Sequence, residues 1–479
     1  MTPQPLVSII VINYNGLKFC EDSFSSIREL NYPNYEVIMI DNSSKDGSVA
    51  YVREKFPEVR ITELDENFGF AKANNIGVDF AKGDYLFFLN QDTVIEKDCV
   101  NELVRLMESD PKIGICGGKM MFWSENKVIN STGLIINKIC FAWDRGSFEL
   151  DRGQYDEDTE VISVSGGAML IRKDLFNNLG GFDSKYFMYY EDLDLGLRAW
   201  ISGYRVVFVP KAIIYHKMQY SHNNYHHFEY IDHRNRLRTI LKNISPQNLI
   251  WMLSRSLFYE LTCIIFWLYL RRLKYIKYRI MALLWNLKML PNTLRERQKI
   301  QKKRVVSDDR LLKMMAPGFR SPVLPVAVPS YVVKSKDTLT REDIKPYLKI
   351  GDGDEGQLGF GWFERENWDG KRIRWTTNFA VAFLKRFLNE EKNKSEVVEI
   401  EMFSPLKTTG EFYLNDRRVG EFIFDEPGWK LFSFEIMDEE EIQKVTIKTP
   451  GFIPKEITPT SNDKRLFGVA VSSLDVKGS

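Results

Sequence analysis

An apolar run, Asp84-Tyr85-Leu86-Phe87-Phe88-Leu89, passes directly into Asn90-Gln91-Asp92. A carboxylate at the carboxyl end of a buried strand stands where open α/β sheets bind their ligands. Oxygen donors at such a place suit a hard divalent cation carrying a diphosphate. A second acidic group, Glu191-Asp192-Leu193-Asp194, follows the aromatic stretch Tyr186-Phe187-Met188-Tyr189-Tyr190. His216 ends another strand-like run. Together these residue types point to metal-assisted transfer from a nucleotide-activated donor.

Each residue also has a plainer explanation. Asp92 can hold a cation that bridges a diphosphate, or it can cap a helix starting after Thr93. Asn90 in place of an acid lowers the charge of such a site. The acids at 191–194 can supply a base for an attacking hydroxyl, or simply complement a helix macrodipole. His216 is a competent manganese ligand or a structural histidine. Asp41, ending a second apolar strand, can accept hydrogen bonds from a base or ribose, or start an Asx turn.

The elements that must position these residues alternate. Residues 7–13, 36–41, 59–63 and 84–90 read as strands, and 17–30, 71–81 and 97–109 as helices. The first strand is continuously apolar, as a strand buried on both faces is. Strands separated by helices imply a parallel, doubly wound sheet with ligands at the strand carboxyl ends. Those ends carry Asn13, Asp41 and Asp92. Further on, Ser165-Gly166-Gly167-Ala168 marks a close backbone approach. A helix is expected over 192–202, and strands over 205–209 (closed by Pro210) and 212–215.

The chain has 479 residues, 44% hydrophobic and 27% charged, with a net charge of +1. That length predicts two or three domains. The charge balance offers no global attraction to nucleic acid. Five scattered cysteines form no CxxC pair, and a reduced, cytosolic compartment is expected. The first residues lack the basic and apolar regions of a signal peptide. There is no GxGxxG after the first strand, no GxxxxGK[ST] and no GxSxG, which disfavours dehydrogenases, P-loop enzymes and α/β-hydrolases.

Five stretches resemble glycosyltransferase family 2: VSIIVINYNG (7–16), IDNSSKDGS (40–48), ENFGFAKANNIG (66–77), YLFFLNQDT (85–93) and GGFDSKYFMYYEDLDLGLRAWISGY (180–204), followed by His216. Within that family the chain is most similar to the rhamnosyltransferase-like and galactofuranosyltransferase-like branch. The resemblance implies an inverting GT-A fold, a doubly wound, mainly parallel sheet. It implies that Asn13, Asp41, Asn67, Asn90 and Asp92 serve the nucleotide-sugar donor. It implies Asp92 and His216 as ligands of a divalent cation, Mn2+ or Mg2+, and Asp192 as general base. Gly166, Gly167 and Glu191 are expected on the acceptor side. The expected reaction moves a sugar, such as rhamnose or another deoxyhexose, to a hydroxyl of a cell-surface polysaccharide or lipid-linked glycan.

Two other readings remain open on sequence. One is a noncatalytic glycan-binding or assembly protein with a decayed transferase domain. The other is a sugar-1-phosphate nucleotidyltransferase, although residues 13–18 lack its Gly-rich basic loop. Beyond a catalytic domain at 1–245, residues 246–330 read as a helical, membrane-proximal segment and linker. Its apolar run at 256–270 precedes Arg271, Arg272, Lys274 and Lys277, a pattern suited to peripheral association with the cytoplasmic face of a membrane. Residues 294–310 read as a charged, solvated helix, and prolines at 317, 322, 325 and 329 as a linker. Residues 331–479 show short alternating segments of a β-sandwich. Its Trp362, Trp368, Trp375 and Trp429 serve either core packing or sugar stacking.

Overall fold

The computed structural model describes residues 4–123, 128–147, 151, 153–217, 225–269, 271 and 273–316, then 347–349, 362–368, 371–376, 379–385, 396–415, 417–436, 442–449 and 469–478. Two compact units divide the chain, Met1–Pro322 and Val323–Ser479. The proline linker and the sequence-expected strand start at 466–468 lie outside the described residues.

The first unit begins β1 (Val7–Asn13), α1 (Leu17–Arg28), β2 (Tyr35–Asp41), α2 (Ser48–Lys55), β3 (Arg60–Glu63), α3 (Gly69–Phe80) and β4 (Tyr85–Asn90). It continues with β5 (Thr93–Ile95), α4 (Cys99–Ser109), β6 (Ile113–Phe122), β7 (Ile129–Ser131), β8 (Leu134–Ile136), β9 (Ala142–Asp144), β10 (Thr159–Glu160) and β11 (Ala168–Arg172). Then come α5 (Lys173–Leu179), α6 (Glu191–Ile201), β12 (Arg205–His216), α7 (Tyr225–Asn243), α8 (Pro246–Tyr269), α9 (Leu273–Lys302) and α10 (Asp309–Met314).

The main sheet runs β10-β12-β6-β11-β4-β1-β2-β3. Strands β4, β1, β2 and β3 are parallel, in a register that sets Asn13 beside Asp41. β11 enters antiparallel between β4 and β6. Alternate residues of each central strand face opposite layers. Ile10, Ile12, Ile38, Ile40 and Phe88 pack under α3, α5 and α6. Val7, Ile9, Val11, Met39 and Phe87 pack under α1, α2 and α4. Each such side chain contributes about 1.5–3 kcal/mol by leaving water. Covering both faces is why these strands read as nearly continuous apolar runs, with Ser8 a buried exception on β1.

Four local expectations change. Residues 93–95 form a strand on β12, with His216 opposite Thr93, and the next helix starts only at Cys99, so Asp92 caps no helix. β12 continues through Pro210 because a register shift between Val209 and Ile213 absorbs the missing N–H. The apolar helix starts before residue 256, at Pro246, and Met252 in that added helical stretch reaches the core. The charged segment is not a separate solvated helix. Its first part belongs to α9, whose Asn286 and Thr293 are buried and bonded to α7. Leu311 and Met315 join the same core, so the helices after residue 245 are part of the first unit.

The second unit contains β13 (Tyr347–Lys349), β14 (Trp362–Trp368), β15 (Lys371–Thr376), β16 (Phe379–Lys385), β17 (Glu396–Ser404), β18 (Thr408–Leu414), β19 (Arg417–Phe424), β20 (Gly428–Glu435), β21 (Ile442–Lys448) and β22 (Ala470–Gly478). One antiparallel sheet orders β14-β15-β22-β17-β20 and a second β16-β21-β18-β19. Val398, Ile400 and Met402 of one sheet share a core with Phe412, Phe422 and Ile447 of the other, which makes a β-sandwich. Trp375 is buried, and Trp429 packs beside Phe403.

Candidate active site

The carboxyl ends of β1 and β2 build a polar cradle. Asn13 Nδ2 donates to Asp41 Oδ1 at 2.7 Å and to Ser48 Oγ at 2.7 Å. Asp41 Oδ2 accepts the Ser44 N–H at 2.9 Å. Asn13 Oδ1 is buried without a partner among the described residues. A buried acceptor left open beside a carboxylate is a place for a donor group of a ligand. Gly16 permits the crowding, since a Cβ there would lie 2.5 Å from Asn13 Oδ1. Asn67 is exposed and caps the next loop by accepting the Gly69 N–H at 2.9 Å. Asn42, which the sequence pattern places only in a loop, ties that turn by accepting the Phe68 N–H at 2.9 Å.

The end of β4 meets the start of β11. Asn90 N–H donates to Gly167 O at 2.9 Å. A Cβ on Gly167 would stand 2.6 Å from Asn90 Nδ2, so a side chain there would displace the Asn90 amide. One residue earlier, Gly166 N–H donates to Asp192 Oδ2 at 2.9 Å. This chain of contacts brings the strand bearing Asn90 and Asp92 to the helix start bearing Asp192. Ser163 Oγ fixes that helix start by donating to Asp192 O at 2.7 Å.

His216 Nε2 lies 3.3 Å from Asp92 Oδ1, and Lys217 N–H donates to Asp92 O at 2.7 Å. The other imidazole nitrogen, Nδ1, is 3.0 Å from Asn130 Oδ1. With that amide oxygen accepting, Nδ1 carries a proton and Nε2 faces the carboxylate. A ring nitrogen and a carboxylate this close call for a positive charge between them, a second proton on the ring or a bound cation. Burial alone would raise Asp92, but the His216 imidazole holds it below the usual carboxylate range. Burial opposes the charged imidazole, yet Asp92 raises His216 above its ordinary value. One nitrogen and one oxygen donor, braced from behind by Asn130, fit a divalent cation whose other ligands come from a diphosphate. Among the described residues no three histidine, cysteine or acidic side chains form a complete metal cage.

The three acids at 191–194 separate by environment. Asp194 is fully buried and bonded to Arg198, Lys242 and Asn243, a structural role. Glu191 is buried with Oε2 unpartnered among the described residues, and burial followed by the Asp192 charge pushes it well above the usual range. Burial also raises Asp192, against the Gly166 and Leu193 N–H groups that favour its ionised form. Asp192 is therefore the first of the pair to lose its proton, and Glu191 stays neutral beside it. The sequence did not single out Asp144. It sits on β9, whose β8 partner Leu134 donates to Ser163 O, and burial pushes it up to about 6, with Ser131 opposing and Asp192 adding.

A cavity of about 410 Å3 lies elsewhere, lined by Gly181, Asp183, Lys185, Lys242, Lys299 and Lys303 among others. None of the strand-end residues above borders it, so the chemistry and not the cavity locates the site.

A doubly wound sheet that gathers Asn13, Asp41, Asp92 and His216 at its strand ends, with Asp192 at a helix start tied to them through Gly166, is the GT-A arrangement. Residues 8–180 match the family described as glycosyl transferase family 2, and residues 148–226 match the N-terminal domain of galactosyltransferase. The O-antigen biosynthesis protein RfbC of Myxococcus xanthus is 27% identical over 201 residues, 40% of this chain and 16% of that protein. The poly-beta-1,6-N-acetyl-D-glucosamine synthase of Staphylococcus epidermidis is 24% identical over 209 residues, 43% of this chain and 48% of that protein. The chain thus spans less than half the length of these relatives. Among solved structures, mannosyltransferase PcManGT from Pyrobaculum calidifontis in complex with GDP-Man and Mn2+ shares 17% identity over 63% of this chain and 86% of that one, with a TM-score of 0.40. The N-terminal unit carries a glycosyl transferase family 2 domain.

Proposed function

We propose that this protein is an inverting glycosyltransferase that moves a sugar from a nucleoside-diphosphate donor to a hydroxyl of a cell-surface polysaccharide or lipid-linked glycan. The observation that carries this reading is the continuous link from Asn90 through Gly167 and Gly166 to Asp192, with His216 against Asp92. It supports one cleft holding both a diphosphate end and a base. Asn13 and Asp41 would receive the nucleotide. Asp92 and His216 would hold the divalent cation, which supplies positive charge against the departing diphosphate. Asp192 takes the proton of the acceptor hydroxyl as its oxygen bonds to the anomeric carbon. The bond to the diphosphate oxygen breaks on the opposite face, and the configuration inverts. Neutral Glu191 avoids a second charge beside that base.

A deoxyhexose such as rhamnose is the sugar class we favour, on the motif resemblance of residues 180–204. A decayed, noncatalytic domain is the weaker reading, because Asp92, His216 and Asp192 are all retained and held by hydrogen bonds or an ion pair. The test is a panel of nucleotide sugars, read by thermal stabilisation with and without manganese and then by transfer. At about 100 times its dissociation constant a cognate donor adds about 2.7 kcal/mol of stability. Asp192→Asn should lower transfer by at least about 100-fold while the donor still binds. Wild-type turnover in that variant would remove Asp192 from its role.

The reading extends to a membrane surface on the cytoplasmic side. α8 is the one described helix long and apolar enough to cross a membrane, by length and composition. Yet its inward face carries Glu260, paired with His233, Arg236 and Arg279, while α9 bears exposed Lys274 and Lys277. A charged partner helix suits an interfacial hairpin better than a spanning one. Phe258, Leu261, Ile265 and Leu268 on α8 and Leu284 and Leu287 on α9 are exposed, with basic residues at the connecting turn. Apolar area rimmed by cations fits anionic lipid.

A further inference from the structure

The residues that aim the catalytic acids are held in an unfavourable backbone conformation. Phe187, Tyr189 and Tyr190 have φ of 67°, 64° and 72°, the left-handed region that bulky side chains avoid. Glu191 and Asp192 follow immediately. Such a turn persists only where its surroundings over-determine it. On one side, Ala71 N–H donates to Phe187 O at 3.2 Å, and Gly69 lies so close that a Cβ would stand 2.5 Å from that same oxygen. On the other side stands α7. Asn235, fully buried, directs its amide nitrogen at three carbonyls of the turn: Tyr186 O at 3.1 Å, Met188 O at 3.0 Å and Tyr189 O at 2.7 Å.

The amide orientation follows from its partners. Carbonyl oxygens require a donor, and Asn235 Oδ1 accepts Arg234 Nε–H at 2.9 Å. Arg234 adds its own bond to Tyr186 O at 2.6 Å and lies over the Trp285 ring of α9, 4.6 Å from its centroid. Two neighbouring residues of α7 thus clamp the turn from behind, without facing the cleft.

We propose that Asn235 is a positioning residue. It locks the strained turn at 187–190 so that Asp192 meets the Gly166 N–H and faces the acceptor. The role assigned to Asp192 rests on the transferase reading above; the clamp itself does not. No other residue on α7 combines full burial with bonds to several carbonyls of that turn among the described residues.

The experiment uses the full chain with Asn235→Ser, Asn235→Asp, and Asn235→Asp combined with Tyr189→Gly. Three readouts are taken: amide hydrogen exchange over residues 186–192, kcat, and donor binding. Serine keeps one donor but loses reach, and aspartate turns an acceptor toward carbonyls. Exchange in 186–192 should accelerate in both single variants. A misplacement near one ångström lowers kcat by about 100-fold in Asn235→Asp, with donor affinity within about twofold of wild type. Glycine adopts positive φ without strain, so Tyr189→Gly should return about tenfold of the lost kcat. Unchanged exchange in both single variants overturns the clamp. A kcat loss matched by lost donor affinity, with no recovery from Tyr189→Gly, overturns the positioning role in favour of simple destabilisation. If Asn235→Asp does not fold, Asn235→Ser decides on exchange and kcat. A wild-type chain that transfers no sugar sinks the transferase reading, while the exchange measurement still decides the clamp.

Discussion

At the scale of single residues, the proposed mechanism gives Glu191 and Asp192 different parts. Both are raised by burial, but the Gly166 and Leu193 N–H groups hold Asp192 down, whereas the Asp192 charge lifts Glu191 further. A base must be ionised, so kcat should fall as pH drops through the raised value of Asp192. The acid limb then lies above the range of an exposed aspartate, near 3.9. Because burial and the Asp192 charge favour the neutral form of Glu191, Glu191→Gln should leave that limb in place and change kcat by less than about tenfold. A limb displaced by about one unit would mean instead that the two acids share a proton. Much of this was legible in the sequence. Asp92 after an apolar strand, Asp192 after an aromatic run and His216 at a strand end all stand out by type and position. Asn130, Asp144 and Asn235 do not. Their roles depend on partners far along the chain, such as the 86-residue separation of Asn130 from His216, and no local spacing encodes that.

At the scale of elements, glycines and strained turns decide whether the cleft closes. Gly69 has φ +75°, and a Cβ there would meet both the ring and the carbonyl of Phe187. Gly69→Ala should cost about 1–3 kcal/mol in backbone strain and displace the turn before α6. Thermal melting and kcat measured together check this, and a variant with wild-type values in both would show the turn to be pliant. Strands β1, β2 and β4 were readable because strands buried on both faces form nearly continuous apolar runs. β12 was harder, since Pro210 looks like a stop until the bulge beside it is seen. Glu260 shows the opposite problem. It interrupts an apolar helix in sequence, and only the fold supplies His233, Arg236 and Arg279 around it. Burial alone would raise its carboxyl, but those cations hold it well below the usual range. A depressed folded-state value stabilises the protein above the unfolded value, near 4.3, and that contribution is lost as pH falls. Glu260→Gln leaves buried cations uncompensated and should cost about 3–5 kcal/mol at neutral pH. The difference from wild type should shrink in acid, when melting is followed between pH 7 and pH 3 or so.

At the scale of the whole molecule, one unit carries the chemistry and the other is a β-sandwich with its own core. The first unit has an asymmetric surface. Its α8–α9 hairpin turns charge inward, onto the Glu260 network, and apolar side chains outward. A soluble helix does the reverse. On the membrane reading proposed above, the inward network means the hairpin is assembled before any lipid arrives, so docking costs little ordering. Two forces then add: burial of Phe258, Leu261 and Ile265 in the acyl boundary, and attraction of Arg271, Lys274 and Lys277 to anionic headgroups. Each basic residue near the surface contributes about 1 kcal/mol, a term that salt screens within about 10 Å at 0.1 M. Flotation with vesicles should therefore show binding to anionic lipid that weakens, without vanishing, as salt rises. Lys274→Glu with Lys277→Glu should remove the salt-sensitive part. Phe258→Glu with Leu261→Glu should remove binding altogether while leaving transfer to a soluble acceptor intact, since neither residue borders the strand-end cleft. Binding equal to wild type in both double variants would place this face against something other than a membrane. Loss of soluble-acceptor transfer along with binding would tie the hairpin to catalysis itself, through the α7 residues that hold Glu260 on one side and the turn before Glu191 on the other.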